Sequence, residues 1–444
     1  MKTAKKLLAF LALCCIAAFL AGCDFADGNI ESLLTPPRPA IAQEELNLAI
    51  NSALGEDVRY ITPGSGSQRS SVRIYEHEFD GARWAVVFYM DADNTGNIAV
   101  FRGSGENAWE FYKSFRENSM QIDFVESRDI TEDGYPELLV GWYHTETTKE
   151  MCSYNIFDKS EKPSYSITYN ESRIFHGKGK DFIFTVLRER VSGKGTASIS
   201  AVKNGELETV AECSIYGGYD NIKSITYGKI FNAQNVILMD ASIGNNMVTQ
   251  VFKWSSAKGL ENIFYDDEQG IYPLLIRETS FTCADIDGDG VIEVPYSVSL
   301  PEPQNMPTGM SKMSLTGWYS INFPSVGQRT VGTLSRDFYC LMLPQQGYYY
   351  VVPPDWLGTV SAGYSSVDGR CTVYHIENEQ QQKLFSLNVL SEEEFSYQNA
   401  AGTWTQLKSS GNKIYAISVA AGADTDYASY IGSIGVQASR LMLY

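Results

Sequence analysis

The chain has 444 residues, 44% of them apolar, and a formal charge of −18. That apolar content is ordinary for a globular protein with a real core, and the length allows about two or three domains. The acidic balance argues against nucleic acid as a partner, because phosphate binding needs clustered Lys and Arg, and against adsorption to anionic lipid; it suits divalent cations.

At the N-terminus, Lys2, Lys5 and Lys6 precede a 14-residue apolar stretch, Leu7 to Leu20, which runs into Leu20-Ala21-Gly22-Cys23. The stretch is too short to span a bilayer comfortably. Basic residues, a short apolar run and small residues before a cysteine resemble a bacterial lipoprotein signal. The resemblance implies a signal peptide over 1–22, cleavage before Cys23 and attachment of Cys23 to membrane lipid. The protein would then sit at the extracytoplasmic face of the cell membrane. No later apolar stretch is long enough to cross one. Residues 23–40 read as a tether, stiffened by Thr35-Pro36-Pro37-Arg38-Pro39. The segment 41–55 reads as an amphipathic helix from Ile41 to Leu54, with Leu46, Ala49, Ile50 and Ala53 on one face and Gly55 as its cap.

From 56 to 352 the texture is β throughout: short runs of Tyr, Phe, Val, Ile and Trp between Gly, Asn, Asp and Ser. One hydrophobic strand recurs after a polar turn, at Trp84–Tyr89, Leu138–Tyr143, Phe182–Leu187, Val236–Met239, Val294–Val298 and Tyr348–Val352. The residues just before these strands are 54, 44, 54, 58 and 54 positions apart. A period near 50 with about four strands per period is the signature of a β-propeller blade, because a four-stranded blade buries both faces only when blades stack. The expected fold is mainly β: a degenerate propeller of about six or seven blades of four antiparallel strands. Recurrent hairpins in a β-sandwich give a similar texture, and the spacing is uneven by up to 14 residues. Residues 353–444 open with Pro353-Pro354-Asp355-Trp356 and form either a closing blade or a small α+β domain. Strands are expected at Thr359–Ala362, Cys371–Ile376, Lys383–Leu390 and Lys413–Val419, with a short helix at Ala423–Ile434.

One segment carries specific chemistry. Asp285-Ile286-Asp287-Gly288-Asp289-Gly290-Val291-Ile292-Glu293 places carboxylates at positions 1, 3, 5 and 9 around a glycine at 6. Ca²⁺ takes about six to eight oxygen ligands. The expected set is Asp285, Asp287, Asp289, the Val291 carbonyl and Glu293, with Gly290 supplying a left-handed turn. The flanks read as strands rather than helices, so the segment resembles the strand–loop–strand calcium cage of FG-GAP and VCBS-type propeller repeats. A weaker copy lies at Asp129, Asp133 and Glu137, where Thr131 replaces the second carboxylate. Asp91-Ala92-Asp93-Asn94-Thr95-Gly96 has only the first half of the pattern and reads as a hairpin turn.

Other chemistry is sparse. Cys14, Cys15 and Cys23 belong to the signal; Cys152, Cys213, Cys283, Cys340 and Cys371 are widely spaced, without a CxxC pair, and suit either one disulfide or buried thiols. The histidines are isolated, with no HExxH spacing. Ser255-Ser256-Ala257-Lys258 fits SxxK without its partner motifs. The resemblance to FG-GAP and VCBS repeats implies a non-enzymatic binding or scaffold module whose partner is a glycan or envelope protein. The alternative is an envelope carbohydrate-active enzyme, a glycosidase or lyase, with two carboxylates in one pocket. The lack of βα alternation argues against a solute-binding receptor fold.

Overall fold

The computed structural model describes residues 41–443, apart from short internal stretches of which 323–332 is the longest. The expected lipoprotein signal, Cys23 and the segment expected to be a tether lie outside the described residues. The chain is mainly β and is built from antiparallel sheets, none of which closes into a barrel among the described residues.

Two compact units emerge. The first comprises residues 1–128, 135–146 and 151–164; the second comprises 129–134, 147–150 and 165–444. The first unit starts with the helix Ile41–Leu54, whose bounds match the periodicity of the sequence. Leu46 and Ile50 are fully buried and pack on Ala85, Val87, Ala99 and Phe101. Ala49 is half-buried, but Ala53, expected on the same face, is exposed and Leu54 takes the contact instead. Gly55 ends the helix with φ +96° and donates its N–H to the Asn51 carbonyl at 3.0 Å.

The first sheet is a meander of Val72–Phe79, Ala82–Met90, Gly96–Ser104 and Ala108–Glu117, with Arg59–Tyr60 added to Ala82–Met90. The second contains Ile122–Arg128, Glu137–Tyr143 and Lys149–Tyr154 in that order. Strand alternation explains how they pack. Trp84, Val86 and Phe88 meet Val125, Leu138, Val140 and Trp142 of the second sheet, while Ala85 and Val87 point to the helix. The Trp84–Phe88 run is therefore buried on both faces, as a continuous apolar strand requires.

In the second unit, Glu171–Gly177, Lys180–Glu189, Lys194–Lys203 and Glu206–Tyr216 form a four-stranded meander, the third sheet. The fourth repeats it with Asn221–Ile230, Gln234–Ile243, Asn246–Ser255 and Gly259–Asn262. Ile237, Met239 and Ala241 pack on the third sheet, through Phe184, Val186 and Ile199. Their neighbours Val236 and Leu238 pack the other way, on Ile292 and on Val294 and Ile321 of the fifth sheet. Consecutive sheets of this unit thus stack face to face, each covering the apolar side of the next.

The recurrent strand is second in its meander at Trp84, Phe182 and Val236, and follows Ile122–Arg128 at Leu138. At Val294 it differs: Glu293–Val298 is an edge strand of the fifth sheet, and the strand expected before it is reduced to a single bridge between Ala284 and Glu293. The fifth sheet continues through Leu315–Asn322, Thr333–Leu343 and Tyr348–Val352 to Leu441–Leu443. Tyr348–Val352 thus pairs with the last strand of the chain, so the sequences on either side of the expected 352/353 boundary share one sheet. The sixth sheet runs Met310–Lys312, Val360–Ser365, Arg370–Glu377, Gln380–Ser391, Lys413–Val419 and Thr405–Ser410. The expected helix at Ala423–Ile434 is broken into Ala423–Asp426, Ala428–Ile431 and Ile434–Arg440, interrupted at Gly432 with φ +62°. Among the described residues no helix is long and apolar enough to cross a membrane, and the five described cysteines are free thiols.

Candidate metal centre

The segment Asp285–Glu293 forms a tight turn leading into the edge strand Glu293–Val298. Two glycines make the turn: Gly288 has φ +79° and Gly290 φ +87°, values that an L side chain tolerates poorly. The acidic side chains then fold back on the backbone. Asp285 accepts from Gly288 N–H at 2.9 Å and Gly290 N–H at 3.0 Å. Asp287 accepts from Asp289 N–H at 3.1 Å, and Asp289 from Val291 N–H at 2.7 Å.

The result is a group of three exposed carboxylates, Asp285, Asp287 and Asp289, with one oxygen of each within 4.8 Å of the others. Oxygens bound to one Ca²⁺ at about 2.3–2.6 Å lie no more than ~5 Å apart, so the donor set fits a hard cation. The backbone hydrogen bonds do not preclude this, because a carboxylate oxygen has two lone pairs. Glu293 stands outside the group of three. It is 2% exposed, and its Oε2 accepts from Ile286 N–H at 3.1 Å. Val291 enters the turn through its N–H, which donates to Asp289.

What holds the turn in place comes from elsewhere in the chain. Tyr349 Oη donates to the Ile286 carbonyl at 2.8 Å. Burial, with the neighbouring Cys340, Asp287 and Glu293, pushes the Tyr349 phenol up to about 12, so it stays a neutral donor. Ile292 N–H donates to the Lys229 carbonyl at 2.7 Å. Two residues before Asp285, Cys283 is tied to a buried charge network. Its N–H donates to Asp240 Oδ2 at 2.7 Å and its thiol to Asp240 Oδ1 at 3.3 Å. Arg277 Nη2 reaches the same Oδ1 at 3.0 Å, and Thr249 Oγ1 is hydrogen-bonded to both Arg277 and Asp240. The Arg277 and Asp240 side chains are 0% and 1% exposed. Burial first, then the Asp240 charge, raises the Cys283 pKa, which keeps it a thiol. Asp240, Thr249, Arg277 and Tyr349 were not singled out by the sequence; no local motif marks them.

The second candidate loop is built on the same frame. Asp129 accepts from Asp133 N–H at 3.1 Å and from Gly134 N–H at 3.0 Å, and Gly134 has φ +91°. Glu137 opens the strand Glu137–Tyr143 and is 8% exposed. With Thr131 at the third position, this loop forms no group of three acids among the described residues. Asp91–Gly96 is the turn between Ala82–Met90 and Gly96–Ser104, where Asp91 accepts from Asp93 and Thr95 N–H at 3.0 and 2.9 Å.

No known protein family matches the chain, and no curated protein does either. Among solved structures, a protein of Bacteroides uniformis ATCC 8492, described provisionally as a 6-phosphogluconolactonase, is similar over 68% of this chain and 80% of its own. The identity is 11% and the TM-score 0.26, a likeness too slight to bear on the fold or the function.

Proposed function

We propose that this protein is a lipid-anchored binding or scaffold module of the cell envelope, attached through Cys23, with calcium held at Asp285, Asp287 and Asp289. In this reading the sheets are blades of a degenerate propeller, and the ion stiffens the turn at the edge of the fifth sheet. The observation that carries the metal is the convergence of three carboxylates within 4.8 Å on a turn set by two left-handed glycines. Like charges this close repel, and an ion that binds only the folded state relieves the repulsion. The Val291 carbonyl and Glu293 complete the proposed ligand set once the ion draws them in. Support for the propeller is the meander of four strands that recurs in the first, third and fourth sheets, and the face-to-face stacking of consecutive sheets within the second unit.

Thermal unfolding of the full chain in calcium and in chelator tests the metal. Stabilisation of about 2.7 kcal/mol is expected at a hundredfold excess over the dissociation constant. A melting curve indifferent to both additions would remove calcium from the account. For the anchor, Cys23→Ala should release the protein from membranes or leave it unprocessed. Undiminished membrane retention of that variant would reject lipid attachment at Cys23.

A further inference from the structure

Within the second unit, a cleft of about 340 Å³ opens at one end of the third sheet, where the Asp129 loop and the end of the fourth sheet close it. Its apolar wall is made by Ile130, Phe182, Val210 and Trp254. Phe182 and Trp254 lie with ring centroids 5.3 Å apart. Val210 is placed by a break in the ladder: Ser200 pairs with Thr209 and Ile199 with Ala211, which leaves Val210 as the bulged residue. Bulges of this kind re-aim a side chain and cluster beside binding sites.

The polar lining is unusual for this chain. Lys180 opens one strand and Lys203 closes its antiparallel neighbour, so both stand at the same end of the sheet and both line the cleft. In a protein of formal charge −18, this cleft gathers two lysines against one carboxylate, Asp181. Asp181 is held by His176 Nδ1 at 2.8 Å. The lysines reach outward to Glu132 at 3.4 Å and Glu208 at 3.3 Å, and those glutamates are not part of the lining. All four side chains are well exposed, so these ion pairs are weak and the flexible lysine stems can turn to a ligand.

We infer that this cleft binds an acidic sugar ring: its apolar face against Trp254 and Phe182, its carboxylate between Lys180 and Lys203, and its hydroxyls toward Asp181 and Ser255. The volume is at the small end for ligand sites and suits one or two rings. A ring with one apolar face and polar edges matches the aromatic wall and polar rim, and a carboxylate matches the lysine pair. The inference rests on the reading of this chain as a binding module but not on calcium.

The test is titration of the full chain with methyl β-glucuronide, methyl β-glucoside and inorganic phosphate, followed by calorimetry and tryptophan fluorescence, in calcium and again in chelator. Saturable binding of the glucuronide is expected, with the neutral glucoside weaker by about tenfold and phosphate weaker still. Lys180→Gln with Lys203→Gln should bring the glucuronide down to the level of the glucoside. Trp254→Ala should weaken both sugars; because it alters the wall of the sheet, its melting curve is measured alongside, and the exposed lysine pair supplies the variant that keeps the fold. Equal binding of phosphate would reduce the cleft to a bare anion site and overturn the inference. So would glucuronide binding unaffected by the lysine variants, or no saturable binding at tens of millimolar. Sugar binding that persists in chelator while the melting curve ignores calcium would sink the metal and keep the cleft; the reverse pattern would do the opposite.

Discussion

The Asp285 and Asp129 loops share a frame and differ in what fills it. In each, the first aspartate accepts the N–H of a left-handed glycine five residues on, Gly290 or Gly134, at 3.0 Å. In each, a buried glutamate opens the following strand, Glu293 or Glu137. The third position decides the chemistry. Asp287 completes a cluster of three carboxylates in one loop, whereas Thr131 leaves the other without it. The fourth position differs as well: Gly288 in the first loop, and in the second Glu132, which pairs with Lys180 at 3.4 Å. One loop concentrates negative charge that an external cation would neutralise. The other pairs a carboxylate with a lysine of the protein itself, and its Ile130 becomes part of the wall of the cleft. Loop geometry and carboxylate set are thus separable: the same frame occurs with the cluster of three acids and without it.

The largest expected effect comes from what holds the first loop from below. Asp240→Ala would leave Arg277 charged and uncompensated in a site where both side chains are almost fully buried. Loss of one partner from such a pair costs about 3–5 kcal/mol, read as a lowered midpoint in urea unfolding. A shift of under ~1 kcal/mol, the range of a surface pair, would show that the network is not what fixes Cys283 ahead of the loop.

Next in size is the calcium response itself. Asp287→Ala should remove most of the stabilisation by calcium, about 2.7 kcal/mol at a hundredfold excess over the dissociation constant, while leaving the chelated protein as stable as before or slightly more so, since one repulsive charge is gone. Asp133→Ala, the corresponding change in the second loop, should leave the calcium response intact. Equal losses from the two variants would make the loops equivalent and break the comparison.

Smaller still is the cost of the shared frame. Gly290→Ala and Gly134→Ala meet no neighbouring atoms at the new Cβ, so each should lose only the left-handed backbone preference, about 1–2 kcal/mol. Thermal melting in chelator should show similar losses for both, and in calcium a further loss for Gly290→Ala alone.

The smallest effect belongs to the hairpin at Asp91. Thr95 N–H, with the Asn97 side chain, Arg116 and Asp93 N–H, holds the Asp91 carboxyl below its ordinary 3.8. A lowered carboxylate pKa contributes stability that is complete above the unfolded value and disappears as pH falls through the folded one. The turn should therefore loosen only below pH 3.8. Carboxyl chemical shifts of Asp91 through an acid titration check this; a midpoint at or above 3.8 would contradict it.

Periodicity carried much of the fold. The helix Ile41–Leu54 and the strands containing Trp84, Leu138, Phe182 and Val236 follow from apolar spacing, because each is long, continuous and bounded by turn residues. Lys413–Val419 was readable to the residue. Two further elements were missed, the first although a signal existed. Ser391 caps Glu392–Gln398 in a capping box with Glu394, a Ser-x-x-Glu pattern present in the sequence. Thr405–Ser410 is a mostly exposed edge strand whose polar residues hide its alternation. The edge position of Glu293–Val298 could not be read, because the segment before it is engaged by Asp240 and Arg277 rather than by a partner strand. Those contacts join residues 37 and 43 positions apart, and no local pattern encodes them. The acidic loop itself was legible because its carboxylates are local; the cleft was not, because its wall comes from four separate stretches of chain.

If the third position makes the difference, the Asp285 loop binds calcium and the Asp129 loop does not. Calorimetric titration of the calcium-stripped chain with calcium decides this. The expected result is a single site, retained in Asp133→Ala and lost in Asp287→Ala. Two sites of comparable affinity, no site, or a site that survives Asp287→Ala would contradict it.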